Sequence, residues 1–383
     1  MTGMDLLDYT KSFVSGTGAI AKGGEWSKKA MSTCLSADTD CLVVNLMTDW
    51  DALQPEWDRF VERHPKGGIF HSSHMVRVFE ATKGYTPLAL AAVTPDGEVL
   101  ALLVAVRVRT IPRLVGAIAS RSIWYAEPLC EDSPEGISAL CQLVAHHDEL
   151  MRRRVLFAEI RPAHASGAER VALERCGYRY LDYLNFTVDT TQPKEVLYRL
   201  MRDSARSSIR KCEKRGFQVR HVNSADSVDV LYNLLRRTYG HAEVPLADRS
   251  LFEAAFRILK PLGMIELIGV YNGDEVVAMD AILPFKNDVV AWYGGSIRMP
   301  TVSPVDLLQW HEIAWSGVQG YERFDFGGAG WPGIPYGVRD YKAKFGGDLV
   351  CHGRYRKVYS PWKMALAERA YQLGRTLISP KST

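Results

Sequence analysis

The feature that most constrains the fold of this chain is an internal duplication. Residues 88–108 (LALAAVTPDGEVLALLVAVRV) and residues 265–285 (IELIGVYNGDEVVAMDAILPF) align without a gap. Each segment is an apolar run, a polar turn and a second apolar run, which is the pattern of a β-hairpin. A repeat of this length predicts that the same supersecondary unit occurs twice.

The elements that follow each hairpin recur in the same order. A short strand with a Trp-Tyr pair comes next, at residues 123–128 (IWYAEP) and 291–296 (AWYGGS), and then a helix that begins at Pro134 or at Pro304. Each copy closes with one more short strand, LFAEIRP or RFDFGGA. We predict two copies of one α/β (α+β) domain, each a mixed, largely antiparallel sheet with flanking helices.

The repeat also sets the expected domain boundaries. We expect a flexible extension over residues 1–41, a first domain over 42–190, a second over 191–360 and an amphipathic helix over 361–383. The terminal helix has two interpretations, because it can dock on its own domain or lie on a membrane surface.

Composition excludes several classes of protein. The 383 residues are 47% hydrophobic and 24% charged, as in globular domains, and a net charge of +3 is too small for wholesale nucleic-acid binding. No apolar run approaches the ~18 residues that span a bilayer. The seven cysteines are scattered without a CxxC pair, which indicates neither a disulfide framework nor a metal site. We expect a cytoplasmic protein, with the inner face of the membrane as the alternative location.

A local basic segment covers residues 199–220, with eight basic and two acidic side chains. Its candidate phosphate-binding residues are Arg202, Arg206, Arg210, Lys211 and Lys214. Four of them recur at four-residue steps, so on one helix they would form a stripe that can contact successive phosphates. The alternative is a solvated face paired with distant carboxylates.

A glycine-rich segment covers residues 324–347, with seven glycines and two prolines. Such a composition predicts a long shaped loop, and loops of that kind are often functional. The candidate ligand-binding residues in it are Asp325, Trp331, Tyr336, Tyr341, Lys344 and Phe345. Lys342 is the candidate catalytic residue, because a fixed ammonium can stabilise an oxyanion. The alternative is a structural connection whose lysines face water.

Two further features lie on predicted strands. Trp292 and Tyr293 precede two glycines, which would let the backbone approach a ligand closely; a β-bulge is the alternative. Asp280 lies within an apolar strand, so it either faces water at an edge or is a pocket carboxylate with a raised pKa and a catalytic role. The sequence has no GxSxG, HExxH or P-loop motif, so a catalyst would act mainly by positioning substrates and stabilising charge.

Four segments together resemble the Fem family (FemABX) of aminoacyl transferases: SARSSIRKCEKRGFQV, WYGGS, SPVDLLQWHEIAWSGVQGYERFDFGG and DYKAKFGG. The resemblance covers about residues 42 to 358. It implies two tandem GNAT-like domains and transfer of an amino acid from aminoacyl-tRNA, as co-substrate and without a bound cofactor, to an amino group of a peptidoglycan or cell-surface precursor.

The resemblance also implies roles for individual residues. Lys342 matches the lysine of the family's FK motif, with Tyr341 in place of phenylalanine, and is expected to stabilise the tetrahedral oxyanion. Arg206, Arg210 and Lys211 are expected to face a phosphate-bearing substrate, such as a lipid-linked precursor or a glycan.

Two other functions remain open from the sequence. One is an acyl-CoA-dependent GNAT-type N-acyltransferase that acts on a sugar nucleotide, a polysaccharide, a lipid or a secondary-metabolite amine. The (R/Q)xxGx(G/A) loop that binds the CoA pyrophosphate is replaced here by residues 298–303, with Pro300 and Thr301, which favours aminoacyl-tRNA as the donor. The other is a non-catalytic module that binds a phosphorylated glycan or polynucleotide. The chain also lacks the heptad-patterned helical arm that some Fem proteins carry.

Overall fold

The chain divides into two compact units, each with its own sheet. The computed structural model describes residues 41–48, 50–109, 120–242 and 245–366. Of these, the N-terminal unit comprises residues 41–80, 84–181 and 354–366, and the C-terminal unit comprises residues 81–83 and 182–353. Residues 1–40 of the predicted extension lie outside the described residues.

The N-terminal unit contains one sheet, and helices form in the chain segments that connect its strands. In chain order, its elements are β1 (Leu42–Asn45), α1 (Trp50–Arg63), a 3₁₀ turn (Ile69–His71), α2 (Ser73–Glu80), β2 (Tyr85–Val93), β3 (Val99–Arg109), β4 (Ser120–Trp124), β5 (Leu129–Cys130), α3 (Pro134–Met151), β6 (Phe157–Ile160), α4 (Ala168–Arg175), β7 (Arg179–Leu181) and, from the far end of the chain, β15 (Arg354–Val358). Residues 361–366 of the predicted C-terminal helix are helical, and the rest of that prediction lies outside the described residues.

The C-terminal unit is built in the same way. Its elements are β8 (Leu184–Asp189), α5 (Lys194–Leu200), α6 (Asp203–Lys214), β9 (Gln218–Val222), α7 (Ser227–Ala242), α8 (Arg249–Leu259), a 3₁₀ turn (Lys260–Leu262), β10 (Glu266–Asn272), β11 (Glu275–Phe285), β12 (Asp288–Ser296), α9 (Pro304–Val318), β13 (Arg323–Gly330), α10 (Gly337–Lys342), a 3₁₀ turn (Ala343–Phe345) and β14 (Asp348–Cys351).

The two sheets share one plan, which confirms the predicted fold class and the duplication. The N-terminal sheet has the order β1-β2-β3-β4-β6-β15-β7, with β5 on β3, and the C-terminal sheet has the order β14-β8-β13-β12-β11-β10-β9. In each sheet one central pair is parallel, β4 with β6 and β12 with β13. The predicted hairpins are the antiparallel pairs β2–β3 and β10–β11.

Two strands join a different sheet from the one that the predicted boundaries imply. β8 falls within the predicted first domain, residues 42–190, but pairs with β13 and β14. β15 falls within the predicted second domain, residues 191–360, but pairs with β6 and β7. The reason is that a strand takes the partners that satisfy its backbone N–H and C=O groups, and those partners need not be its neighbours in sequence.

The basic segment does not form the single helix that its spacing suggested. The chain leaves the helical conformation at Met201 and Arg202, both with extended ψ values of 148°, so α5 and α6 are separate helices. Arg202 is the N-cap residue of α6, and the four-residue stripe on the helix therefore starts at Arg206. The helix breaks there because the Arg202 backbone N–H donates to the Lys344 carbonyl oxygen (2.8 Å), outside the helix.

Each unit has its own hydrophobic core. In the C-terminal unit, α5, α6 and α9 pack on one face of the sheet, with Leu197, Ile209 and Leu308 buried against strand residues such as Val270 and Phe324. This packing makes the C-terminal unit a rigid scaffold that holds the side chains at the ends of its strands in place.

Among the described residues, no helix is long and apolar enough to cross a membrane.

Candidate active site

The candidate site lies where β12 and β13 separate. The two parallel strands pair only over Asp288–Val290 and Arg323–Asp325. Beyond that ladder a cavity of about 260 Å³ opens, lined by residues 291–296 of β12 and by Phe326 of β13. Five of the predicted site residues line it: Asp280, Trp292, Tyr293, Tyr341 and Lys342.

The two glycines after the Trp-Tyr pair make room for different neighbours. A Cβ atom on Gly294 would lie 2.3 Å from Asp280 Oδ1, and Asp280 is opposite Gly294 in the β11–β12 register. A Cβ atom on Gly295 would lie 2.6 Å from the backbone of α7 at Leu234. The alternative of a β-bulge is also realised, since the register shifts at Trp292. Gly294 therefore allows the Asp280 carboxyl to sit against the β12 backbone.

Asp280 is a buried pocket carboxyl and not an edge residue facing water. It lies on β11, in the interior of the sheet, and is 8% exposed. Gln309 Nε2 on α9 donates to Asp280 Oδ2 (2.5 Å) and to Glu312 Oε2 (2.9 Å). Burial raises the pKa of Asp280 to about 7, against the opposing effect of its hydrogen bonds. Near neutral pH this carboxyl can therefore accept a proton and release it again.

The Lys342 ammonium lines the same cavity. Its Nζ donates to the carbonyl oxygens of Phe326 and Gly328 on β13, each at 2.7 Å. Burial lowers the pKa of Lys342 to about 8, while the charge of Asp325 acts to raise it. The ammonium stays mostly charged at pH 7. Two of its three N–H groups are used by these carbonyls, and a third is left for a substrate oxygen.

Tyr341 lines the cavity beside Lys342, whereas Lys344 and Phe345, which were also predicted as ligand-binding residues, do not line it. The Tyr341 ring packs edge-on against the buried Phe345, and Lys344 Nζ lies 5.1 Å from the centre of the Tyr341 ring. The Tyr341 hydroxyl oxygen is buried without a hydrogen-bond partner among the described residues. Burial and then the charge of Asp306 raise the pKa of Tyr341 well above its usual range, so its hydroxyl remains protonated.

Three other residues of the glycine-rich segment do not line the cavity. Trp331 packs edge-on against Tyr183, and the Tyr336 ring fills the space beside Gly330. Asp325 is buried, and its Oδ1 accepts a hydrogen bond from the Gly327 N–H (2.6 Å). The predicted long loop is also shorter than expected, because α10 and a 3₁₀ turn form within it. Such short helices satisfy backbone groups that a loop would expose.

The basic residues lie outside the cavity. Arg202, Arg210, Lys211 and Lys214 are exposed on or beside α6, while Arg206 is half-buried and donates to the Arg199 carbonyl oxygen (2.9 Å) and to the Asp203 carboxylate. None of the five lines the cavity. The contact from the Arg202 N–H to the Lys344 carbonyl connects this basic surface to the segment that follows Lys342.

Three buried polar residues on α9 were not predicted from the sequence. Asp306, Gln309 and Glu312 recur every three residues on a helix whose other buried side chains are, apart from Ser316, apolar. That spacing places them along one helix face. A stripe of three polar side chains on an apolar helix was the signal that would have found them.

The N-terminal unit lacks this arrangement at the equivalent positions. The repeat aligns Asp280 with the buried Leu103, and Gly294 with Ala126. Glu127, which aligns with Gly295, accepts a hydrogen bond from the Ala163 N–H (2.8 Å) and contacts His164 Nδ1 (2.8 Å). The gap after the β4–β6 ladder is thus bridged by side-chain contacts. Of the two copies, the C-terminal one has the buried carboxyl at the Asp280 position.

The close approach at Gly294 leads to a prediction on stability. In Gly294→Ala, the new methyl group must displace the Asp280 carboxyl, and overpacking of this kind typically costs about 1–3 kcal/mol. The control is Gly240→Ala on α7, whose added Cβ would meet nothing within 4 Å and should be neutral or stabilising by up to about 1 kcal/mol. Denaturant unfolding of both variants measures the difference. Equal stability of the two would contradict this account of Gly294.

Comparison with known proteins agrees with this architecture. Residues 199–343 match the family described as the acetyltransferase (GNAT) domain. No curated protein matches the sequence significantly.

Several solved structures share the fold. FemX has a TM-score of 0.62 at 15% identity, covering 84% of this chain and 98% of FemX. L-PGS from Bacillus licheniformis has a TM-score of 0.53 at 13% identity, covering 82% and 96%. A tandem GNAT protein from the clavulanic acid biosynthesis pathway has a TM-score of 0.52 at 10% identity, covering 84% and 99%. Residues 199–343 thus match a GNAT acetyltransferase domain, and the whole chain has a tandem-domain fold similar to those of FemX and the tandem GNAT protein.

Proposed function

We propose that the C-terminal unit joins an amino acid, delivered as an ester on tRNA, to an amino group of a peptidoglycan or other cell-surface precursor. The observation that carries this proposal is the pairing of Asp280 and Lys342 on the walls of one cavity. Formation of an amide from an ester needs a group that takes a proton from the amine and a charge that stabilises the oxyanion. These two side chains supply both.

The reaction follows from the positions of the two groups. The acceptor ammonium gives a proton to Asp280, and the free amine attacks the ester carbonyl carbon. The C–N bond forms as the carbonyl oxygen becomes an oxyanion, which accepts a hydrogen bond from the third N–H of Lys342. The C–O bond to the tRNA then breaks, and the departing ribose oxygen takes up a proton. No bound cofactor is required.

Two observations favour tRNA over CoA as the donor. α9 begins with Pro304 at its first position, and proline has no backbone N–H, so this helix start has one backbone donor fewer for a pyrophosphate. The exposed basic residues of α6 adjoin the segment that carries Lys342. A polyanion with a reactive end could contact both the basic residues and the cavity.

Filter binding of aminoacylated bulk tRNA across a salt series tests the donor. We expect micromolar binding that weakens steeply as salt rises and that excess acetyl-CoA does not displace, because the contacts are made to phosphates. Absence of tRNA binding at low salt, or displacement by acetyl-CoA, would contradict the proposal and favour the acyl-CoA reaction.

A matched pair of triple variants locates the contact surface. Replacing Arg210, Lys211 and Lys214 with alanine should flatten the slope of log affinity against log salt by about 2–3, roughly one for each lost phosphate contact. The control replaces Arg152, Arg153 and Arg154, which are equally exposed and carry the same charge but belong to the N-terminal unit. An equal change in the salt slope of both variants would show that tRNA binding depends only on the net charge of the protein, and would contradict the contact surface on α6.

A further inference from the structure

Behind Asp280 lies a second carboxyl that the reaction above does not use. Glu312 on α9 is fully buried and does not line the cavity. Its Oε2 accepts a hydrogen bond from Gln309 Nε2, and its Oε1 finds no N–H or O–H donor among the described residues. The Glu312 and Asp280 carboxyl groups are close enough to share a hydrogen bond once one of them carries a proton. A buried carboxylate with one oxygen unsatisfied is costly, whereas a carboxylic acid can donate from that side.

The geometry ties Glu312 to Asp280. One nitrogen atom, Gln309 Nε2, donates to both carboxyl groups, so the two acids lie within reach of a single amide. Burial disfavours the charged form of each acid, and two buried carboxylates this close also repel each other, so the pair keeps a proton at neutral pH. Burial and the charge of Asp280 raise the pKa of Glu312 well above its usual range, which places that proton on Glu312.

The other titratable groups around the pair do not change this assignment. Asp306 lies on the same helix, Tyr341 and Lys342 lie on α10, Asp325 lies on β13, and Tyr239 and Tyr293 line the cavity. Lys342 is bound to β13 carbonyl oxygens, and none of these groups is an arginine or lysine paired with Glu312. No cation among the described residues therefore stabilises a second negative charge at this position.

We infer that Asp280 and Glu312 form a carboxyl pair that holds one proton at neutral pH, in which Glu312 is the positioning residue that keeps Asp280 ionised and turned toward the cavity. This inference rests on the proposed function, because it gives Asp280 its role as the proton acceptor. It also favours an acceptor amine that arrives protonated, since a pair with one negative charge attracts a cation.

The proton balance of a turnover follows from this arrangement. The pair starts with one proton and one negative charge, and it becomes neutral when Asp280 takes a proton from the acceptor ammonium. The amine nitrogen forms the amide bond and gives up its second proton to the departing ribose oxygen. Asp280 then releases its proton to water, so each turnover yields an amide, a free tRNA hydroxyl and one proton.

The presence of the shared proton can be tested without any substrate. Infrared spectra of the full-length protein at pH 7.5 should show a neutral carboxylic-acid band that loses much of its intensity in Glu312→Gln. The control is Glu266→Gln on β10: this carboxyl bonds Lys260 and His221, its pKa is lowered, and its loss should leave the band in place. If Glu312→Gln retains the full band, Glu312 is not the protonated acid and the inference is wrong.

The positioning role is tested by the pH dependence of transfer. Glu312→Leu removes the hydrogen bond that lowers the pKa of Asp280, so the acid limb of kcat should move up by about one pH unit, a roughly tenfold loss below the limb, with KM unchanged. Glu312→Gln can still donate and should keep the wild-type limb. A uniform loss of rate in both variants, without a shift of the limb, would indicate a structural role only.

The two readouts separate this inference from the proposed function. If no transfer from aminoacyl-tRNA is found but the infrared band depends on Glu312, the pair stands and the donor assignment fails. If transfer occurs but neither the infrared band nor the acid limb changes when Glu312 is substituted, the donor assignment stands and the inferred carboxyl pair is wrong.

Discussion

Replacing Lys342 with methionine is expected to lower the rate of transfer about 10²–10³-fold, the usual effect of removing one oxyanion donor. Methionine keeps most of the side-chain volume but supplies no N–H for the developing oxyanion. Binding of the donor tRNA should persist, since the exposed basic residues of α6 lie outside the cavity. Single-turnover rates and filter binding on the same preparation measure the two effects separately.

Lys342 also has a structural contribution that needs its own control. Its loss leaves the Phe326 and Gly328 carbonyl oxygens without this donor, which typically costs about 1–3 kcal/mol. Lys260→Met, in the same unit, removes an ammonium that binds the Glu266 carboxylate at 2.8 Å outside the cavity. It should lower stability slightly and leave the rate unchanged. A Lys342→Met protein that transfers at the wild-type rate would exclude this lysine from the chemistry.

Asp280→Asn should produce the other large effect, a loss of about 10²–10⁴-fold in rate at pH 8, because the amide cannot take a proton from the acceptor. For the wild type, the pKa of Asp280 near 7 predicts that the rate falls as the pH drops below about 7. The variant should lose that dependence along with most of its activity. Rate against pH from 5.5 to 8.5 measures both, and a variant with the wild-type profile would contradict the assignment.

The same substitution should raise stability, with a definite pH dependence. Asp280 has a higher pKa in the folded protein than in the unfolded chain, so its contribution favours folding at low pH and is lost as the pH rises through about 7. Asparagine is uncharged, so it does not have the free-energy cost of a buried ionised carboxylate. The free energy of unfolding of Asp280→Asn should exceed that of the wild type at pH 8, by on the order of 4 kcal/mol, and match it near pH 4. An active-site group that costs stability is a familiar trade-off.

The duplicated fold could be predicted because its signals are local and repeat. The hairpins β2–β3 and β10–β11 and the proline-started helices α3 and α9 each show hydrophobic spacing and turn residues that identify them within a short window. The same order of predicted elements occurs in both halves of the chain, so the assignment of each half supports that of the other. The predicted boundaries could not place β8 and β15, because the partners of a strand at the edge of a domain are not encoded in its own pattern.

The candidate site could be predicted only in part, for a physical reason. Asp280 and Lys342 stood out because a charge in an apolar strand, or after a glycine-rich turn, is unusual. The roles of Gln309 and Glu312 depend on α9 packing over β11, which is a tertiary contact between segments about thirty residues apart. Trp331 and Tyr336 were included because aromatic rings in a glycine-rich segment resemble a binding surface, yet they pack within the unit.

The pairing of β15 bears on how this protein is made in the cell. Residues Arg354–Val358 lie between β6 and β7, with Tyr355 fully buried and with Arg354 and Arg356 bonded to the buried Glu159. The N-terminal sheet is therefore completed by a strand that the ribosome releases after the whole of the C-terminal unit. During synthesis the N-terminal half must wait with one edge of β6 unpaired and with β7 lacking its partner in the sheet, exposed to aggregation or to chaperones. Folding of the half that is made first is thus coupled to completion of the half that carries the candidate site.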